Sequence, residues 1–300
     1  MIDQALNWGV SLIRAVQGAI KSPAMTVIMN VLTFMGTEWF FILVFPFIYW
    51  CVDRRKATRI GVLFLVSTFF NLWIKDLCRQ PRPYNLDPSV GLSSESSYGF
   101  PSGHAQGAVV FWGSAAQFFR SPWGAIVALV MILLISFSRI YLGVHFPTDV
   151  FGGWLLGLIF LALDYFFGEK ISRVLRRAHP RLRAALVSLV ALAMLAVHRN
   201  ETAIPGLFFG AALGFAFVPE TVPFDAKGTA LQKVLRMLLG LGITAGIYLG
   251  LKAVFPKQGS ELYDLFHFLR YALLGAWVSI GAPWFFIKIG ISTKEAKEAA

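Results

Sequence analysis

Residues 121–149 read SPWGAIVALVMILLISFSRIYLGVHFPTD. From Ser121 to Ser138 the run carries no charge; Arg139 then interrupts it, and IYLGV resumes the apolar character. A helix crossing the hydrocarbon core of a bilayer needs about 20 mostly apolar residues, and this run supplies them. A cation inside such a segment is costly and ordinarily has a partner or a function. Just beyond it stand His145 and Asp149, four residues apart, a spacing at which a local structural pair on one helical face is one reading. Pro147 lies between them and argues against a continuous helix there.

The rest of the chain has the same character. Of 300 residues 57% are hydrophobic and only 14% charged, with mean hydropathy +0.65. A soluble domain carries about 25% charged residues, so the composition describes an integral membrane protein. The N-terminus, MIDQALNWGVSLIRAVQGAIK, lacks a basic segment followed by a clean apolar block, so no cleavable signal peptide is expected. Its Ile2, Leu6, Val10, Ile13, Val16 and Ile20 recur at three- and four-residue spacing and predict an amphipathic helix lying in the membrane interface. The two cysteines, Cys51 and Cys78, suggest neither a disulfide framework nor a metal site.

The expected fold is all-α, a polytopic transmembrane helix bundle. Spans are read at 37–53, 58–75, 103–119, 122–144, 150–167, 183–199, 203–219, 231–253 and 266–288, about nine, with eight to ten as the range. The apolar stretch 23–35 is short and is read as a partly embedded approach; if it crosses, the count is ten. The expected organisation is an interfacial region 1–36, a catalytic membrane bundle 37–168, a basic loop 169–182, a C-terminal bundle of four spans 183–290 and a tail 291–300.

The net charge of +11 raises nucleic acid as a partner, but the basic residues cluster in short loops between apolar runs, which reads as a topology signal, with no nucleic-acid partner expected. DRRKATR (53–59) and EKISRVLRRAHPRLR (169–183) fall on one side with Arg120, Lys227 and the tail, and the positive-inside rule makes that side cytoplasmic. The segment from Lys75 to Pro101 and the residues around His145 then face outward, toward periplasm, exterior or lumen.

Three clusters lie on that outward face. KDLCRQPRP brings Lys75 and Arg82; PSGH brings Ser102, Gly103 and His104; SRIYLGVHFPTD brings Arg139, His145 and Asp149. Each has an ordinary explanation: Lys75 and Arg82 as charges snorkelling at a membrane boundary, and Pro-Ser-Gly as helix-start chemistry. Together they describe one task. Three cations suit phosphate oxygens, guanidinium forks bidentately. The helix opening at Gly103 offers backbone amides to an anion. Two histidines and one carboxylate remain for covalent and proton chemistry. No acidic set resembling a two-metal site accompanies them, so phosphoryl transfer without a metal or other cofactor is expected.

The ordered pattern K-x6-RP, PSGH, SR-x5-H-x3-D resembles the three-part signature of the type 2 phosphatidic acid phosphatase superfamily, which also contains glucose-6-phosphatase and vanadium haloperoxidases. It covers roughly residues 58–167 with no departure from the pattern. The resemblance implies His145 as nucleophile forming a phosphohistidine, Asp149 as the group that orients it, and His104 as general acid. Lys75, Arg82, Ser102, Gly103 and Arg139 are then the phosphate cradle. It further implies a lipid phosphate or diphosphate substrate held at the bilayer, of the polyprenyl diphosphate, phosphatidic acid or phosphatidylglycerol phosphate type. A glucose-6-phosphatase-like sugar phosphatase and a lipid phosphotransferase are the alternatives. A transporter with a vestigial anion site would need only the cations.

Tyr84–Phe100 is polar and turn-rich, either a surface loop or a lid over the head group. In the C-terminal spans Gly206, Gly210 and Gly214, and again Gly242, Gly246 and Gly250, recur at a spacing of four, a stripe that permits close helix packing or a homodimer.

Overall fold

The computed structural model describes residues 2–119 and 121–294; Arg120 and the tail residues 295–300, both used above for sidedness, lie outside the described residues. The chain is helical: α1 (Ile2–Ile20), α2 (Pro23–Phe34), α3 (Glu38–Cys51), α4 (Arg54–Cys78), the single turn α5 (Pro83–Leu86), α6 (Gly103–Phe119), α7 (Pro122–Tyr141), α8 (Pro147–Leu163), α9 (Glu169–Arg177), α10 (Pro180–Val197), α11 (Ala203–Thr221), α12 (Ala230–Val254), α13 (Tyr263–Ala276) and α14 (Ala282–Lys288). Among the described residues no β-strand forms; one isolated bridge pairs Phe224 with Lys294.

Local chemistry sets the helix starts. Pro23, Pro122, Pro147 and Pro180 occupy first-turn positions, where the missing N–H costs nothing. Ser22 and Ser121 accept hydrogen bonds from the Met25 and Gly124 amides as N-caps. Thr229 and Gln232 form a reciprocal capping box at α12.

The count of nine spans is not confirmed. Among the described residues six helical stretches are long and apolar enough to cross a membrane, and up to seven if the pair α2–α3, bent by 49°, counts as one. Three expected spans fall outside these: 37–53 qualifies only as part of the bent pair, its α3 having 14 residues; 203–219 stands as the shorter apolar helix Ala203–Val218; and 103–119, the 17-residue α6, is too short and too polar to qualify. The multi-pass, all-helical character stands, with outward rows such as Ile126, Leu129, Val130 and Leu133 on α7 left uncovered by protein.

Two compact units emerge, Met1–Phe41 with Phe70–Phe167, and Ile42–Phe69 with Gly168–Ala300. In the first, α6 packs against both α7 and α8, and α2 against α7. The contact between α6 and α8 is close because glycines line it: a Cβ on Gly157 would stand 2.8 Å from the Val109 Cβ, and one on Gly113 2.5 Å from a Leu161 methyl. Helix α1 is amphipathic as its spacing indicates, and its apolar face is used on protein: Leu6, Val10 and Ile13 pack with Val90 and Phe146. Below them Gln17 donates to the Val90 and Tyr141 carbonyls, each at 2.8 Å.

In the second unit Tyr49, Trp50, Phe224 and Phe286 form a buried cluster. Arg236, 1% exposed, donates to the carbonyls of Trp50, Ala226, Lys227 and Ile291 at 2.8–2.9 Å, so four backbone acceptors satisfy one buried cation. The two glycine stripes diverge. A Cβ on Gly206 or Gly210 would strike the backbone of Phe268 or Ala272 on α13, whereas Gly242, Gly246 and Gly250 on α12 have open space beside them.

Candidate active site

All eight residues singled out in the sequence belong to the first unit, at the ends of its helices. Lys75 sits in the last turn of α4, and Arg82 directly precedes α5. Ser102, Gly103 and His104 open α6, Arg139 closes α7, and His145 lies in the turn between α7 and α8. That turn needs Gly143: its φ is +69°, and a Cβ there would stand 1.9 Å from the Val90 carbonyl oxygen. Pro147 starts α8, so His145 and Asp149 do not share a continuous helix; Asp149 occupies the third helical position.

From that position the Asp149 carboxylate performs two jobs. Its Oδ2 accepts from the Phe146 amide at 2.9 Å, closing the helix N-terminus, and lies 3.2 Å from His145 Nδ1. Its Oδ1 accepts from Gln80 Nε2 at 2.5 Å. Asp149 also ties two helix starts together, because its carbonyl accepts from the Ser102 amide at 2.9 Å. With Nδ1 engaged by the carboxylate, the other imidazole nitrogen of His145 faces the Arg82 guanidinium at 3.3 Å. A nitrogen receiving an N–H from a guanidinium presents its lone pair, so the arrangement selects the tautomer with the proton on Nδ1. Burial, reinforced by the cations of Arg139, Lys75 and Arg82, holds the His145 imidazole well below its usual pKa of 6.5 and so neutral.

The three cations are buried: Lys75, Arg82 and Arg139 are 4%, 3% and 2% exposed. Lys75 Nζ donates to the Tyr98 carbonyl at 2.6 Å and the Gly99 carbonyl at 3.2 Å. Arg82 donates to the Ser97 and Val144 carbonyls and, more weakly, to the Ser97 hydroxyl and the Tyr98 carbonyl. Arg139 is held between the Thr33 hydroxyl on α2 and the Glu95 carboxylate, while its Nε has no hydrogen-bond partner among the described residues. His104 Nε2 is likewise buried without a partner. Its ring rests against Gly36, in the bend between α2 and α3, where a Cβ would stand 2.7 Å from His104 Cδ2. The His104 Nε2 thus has an unmet hydrogen bond among the described residues, and a buried unmet hydrogen bond needs an explanation.

Ser102 is fully buried; its hydroxyl accepts weakly from the Ala105 amide at 3.4 Å, an N-cap geometry. Ser138 turns away, donating to the Ile135 carbonyl one turn back. Sequence reading missed several participants. Gln80 lies inside the KDLCRQPRP motif but carries no signal of its own. Asn71 and Gln106, hydrogen-bonded to each other at 2.7 Å, are polar residues in apolar runs, a signal that was available. Thr33 and Glu95 had none. Among the described residues no group of three or more His, Cys, Asp or Glu side chains stands in a metal-holding arrangement.

Residues 56–173 match the model of the PAP2 superfamily, and residues 202–294 that of the PAP2 superfamily phosphatase, transmembrane extension. Over 167 residues the chain is 32% identical to phosphatidylglycerophosphatase B of Bacillus subtilis, a match covering 51% of this chain and 80% of the relative. The chain belongs to the PAP2 superfamily. Two further relatives of this PAP2 chain are sphingosine-1-phosphate phosphatase 2 of Mus musculus and undecaprenyl-diphosphatase of Sulfolobus acidocaldarius. The first is 31% identical over 44% of this chain and 39% of the relative; the second is 34% identical over 34% of this chain and 52% of the relative. The PAP2 chain thus spans about half or less of the length of those two proteins. The PAP2 match at 56–173 contains all eight site residues, and the superfamily is the one the motifs resemble.

Proposed function

We propose that this PAP2 protein is a lipid phosphatase that hydrolyses a phosphate or diphosphate ester through a phosphohistidine on His145, without a metal or other cofactor. The observation that carries the reading is the His145 imidazole: Nδ1 on the Asp149 carboxylate, the opposite nitrogen turned toward Arg82 among buried cations. Three side-chain cations supply the charge that a metal supplies elsewhere.

In the proposed sequence the lone pair of His145 Nε2 attacks phosphorus and the bond to the leaving oxygen breaks. His104 Nε2 gives its proton to that oxygen. Asp149 holds the imidazole and stabilises the positive charge it gains, while Gln80 and the Phe146 amide hold Asp149. Water then attacks the phosphohistidine, the P–N bond breaks, and His104 takes the water's proton. Lys75, Arg82, Arg139, Ser102 and the amides of Gly103 and His104 hold the phosphoryl oxygens.

A lipid substrate is favoured by a groove of about 390 Å³ between α7 and α8. Leu133, Phe137, Ile140, Pro147, Phe151 and Trp154 line it, with Ile140 and Pro147 flanking the turn that bears His145. An acyl or prenyl chain fits such a surface and a sugar does not. The three relatives, named as phosphatases of lipid phosphates, also support a lipid substrate.

The non-cytoplasmic side is proposed for the site on an argument independent of span count. Along α4 the basic cluster Arg54–Lys56 and Lys75 stand about 30 Å apart, at opposite ends of one helix. Asp149 and the basic helix α9 likewise sit at opposite ends of the stretch Pro147–Arg177. In this scheme residues 37–168 carry the chemistry and 183–290 form a membrane scaffold. The open glycine stripe on α12 is the face a homodimer would use.

Phosphate release by the detergent-purified chain in excess chelator tests the reading, with polyprenyl diphosphate, phosphatidic acid, phosphatidylglycerol phosphate and glucose 6-phosphate as substrates. Chelator-resistant release from a lipid, absent in His145→Ala, is expected. Release from the sugar phosphate alone, or activity surviving in His145→Ala, overturns it.

A further inference from the structure

Apart from Thr33 on Arg139 and Val144 and His145 on Arg82, the acceptors on the three buried cations come from one short strip of the Tyr84–Phe100 loop. Glu95 pairs with Arg139, Ser97 with Arg82, Tyr98 with Arg82 and Lys75, and Gly99 with Lys75. Four residues of this strip therefore take donors that a phosphate's oxygens need. All but one of these acceptors are neutral carbonyls or a hydroxyl. Glu95 alone brings a charge, and it brings it to the most buried of the three cations.

We propose that Glu95 is an internal competitor for the phosphate site: its carboxylate occupies Arg139 in the empty protein, and a phosphate binds only by taking that guanidinium from it. The inference rests on the phosphate reading of the site and adds the group that sets how tightly an anion is held.

The local geometry supports exchange rather than a permanent pair. The Glu95 side chain is 32% exposed, whereas that of Arg139 is 2% exposed, so the carboxylate has an outward path and the guanidinium does not. Thr33 accepts from the other arm of Arg139 and keeps the guanidinium aimed when Glu95 leaves. The Glu95 backbone is held at both ends of its residue by one group: its amide donates to the Tyr84 hydroxyl at 3.2 Å, and that hydroxyl donates to its carbonyl at 2.9 Å. A side-chain rotation therefore suffices. A dianion arriving at Arg139 repels the carboxylate it displaces, so the two cannot share the site. The affinity measured for any anion is then the intrinsic affinity reduced by the fraction of molecules in which Glu95 is off Arg139.

The test is calorimetric titration of the detergent-solubilised full chain with inorganic phosphate, for the parent, Glu95→Gln, Tyr84→Phe and Asp87→Asn. A charge-assisted hydrogen bond of ordinary strength predicts a Kd about tenfold lower in Glu95→Gln. Tyr84→Phe, which frees the backbone but keeps the carboxylate, shifts Kd the same way by less, and it carries the test if Glu95→Gln does not fold. Asp87, a carboxylate of the same loop paired with Arg14, is the control for net charge, and its replacement leaves Kd unchanged. An unchanged or weaker Kd in Glu95→Gln overturns the proposal, as does an equal gain in Asp87→Asn. If no chain binds phosphate, the phosphate reading falls together with it; if the parent binds and Glu95→Gln is no tighter, only the competitor falls.

Discussion

Gly153 tests whether the close approach of two helices sets the chemistry. It lies one turn after Asp149 on α8, facing the start of α6, and a Cβ there would stand 2.5 Å from the Ser102 carbonyl oxygen, 3.1 Å from the Ala105 Cβ and 3.2 Å from the Gln106 amide. Two of these three neighbours are backbone, so no rotamer change relieves them. In Gly153→Ala the contact to Ser102 must open from 2.5 Å to at least the ordinary 3.4 Å, a displacement of about 0.9 Å between the helix carrying Asp149 and the one carrying His104. A shift of about 1 Å in a catalytic pair costs on the order of 100-fold in rate. The overpacking itself costs about 1–3 kcal/mol of stability, which leaves a folded protein. The expected result is a roughly 100-fold lower kcat on the best lipid phosphate, with KM changed far less, because the cations of α4 and α7 are untouched. Gly61→Ala on α4, where nothing lies within 4 Å of the added Cβ, retains full activity. A Gly153→Ala protein that is folded and turns over within threefold of the parent would refute the claim that this contact registers the two histidines.

Two other outcomes are expected. In histidine-labelled protein the His145 ring resonance, assigned by its loss in His145→Gln, titrates below pH 6.5, since burial and the neighbouring cations lower its folded pKa. The neutral His145 imidazole then survives below pH 6.5 and is lost only as pH falls through that lowered value. The unfolded chain takes up a proton near pH 6.5 that the folded imidazole refuses, so this residue also makes the fold less stable as pH drops below 6.5. A midpoint at or above 6.5 contradicts both statements. For sidedness, Ser94→Cys in a Cys78→Ala background places one exposed thiol in the Tyr84–Phe100 loop, Cys51 being buried. An impermeant thiol reagent added to intact cells should label it, and labelling only after permeabilisation reverses the proposed orientation.

The eight residues proposed for the site could be picked out from the chain because their types and spacings are local properties, and the structure brings them to one set of helix ends. Span counting fared less well. The apolar run at 37–53 was long enough as hydropathy, but the helix that forms there is α3, with 14 residues, while α6 forms over the expected 103–119 with 17 residues and does not qualify as a span. Thr37 and Asp53 bracket α3, so helix geometry there shortens what composition extends. The apolar stripe of α1 was visible, yet nothing in it named Val90 and Phe146 as its cover.

Legible in the sequence alone were the all-helical membrane class, the helix starts at Gly103 and Pro122, and the inventory of cations, histidines and carboxylate. Each of these depends on hydropathy over some 20 residues or on capping within a single turn. What only the tertiary structure decided is which group holds which. Gln80 meets Asp149 across 69 positions, Thr33 meets Arg139 across 106, and Glu95 meets Arg139 across 44. Pairings at such separations follow from how the helices pack and where the loop returns, and a buried cation takes whatever acceptor that packing presents, because leaving it without one costs far more than any local preference supplies.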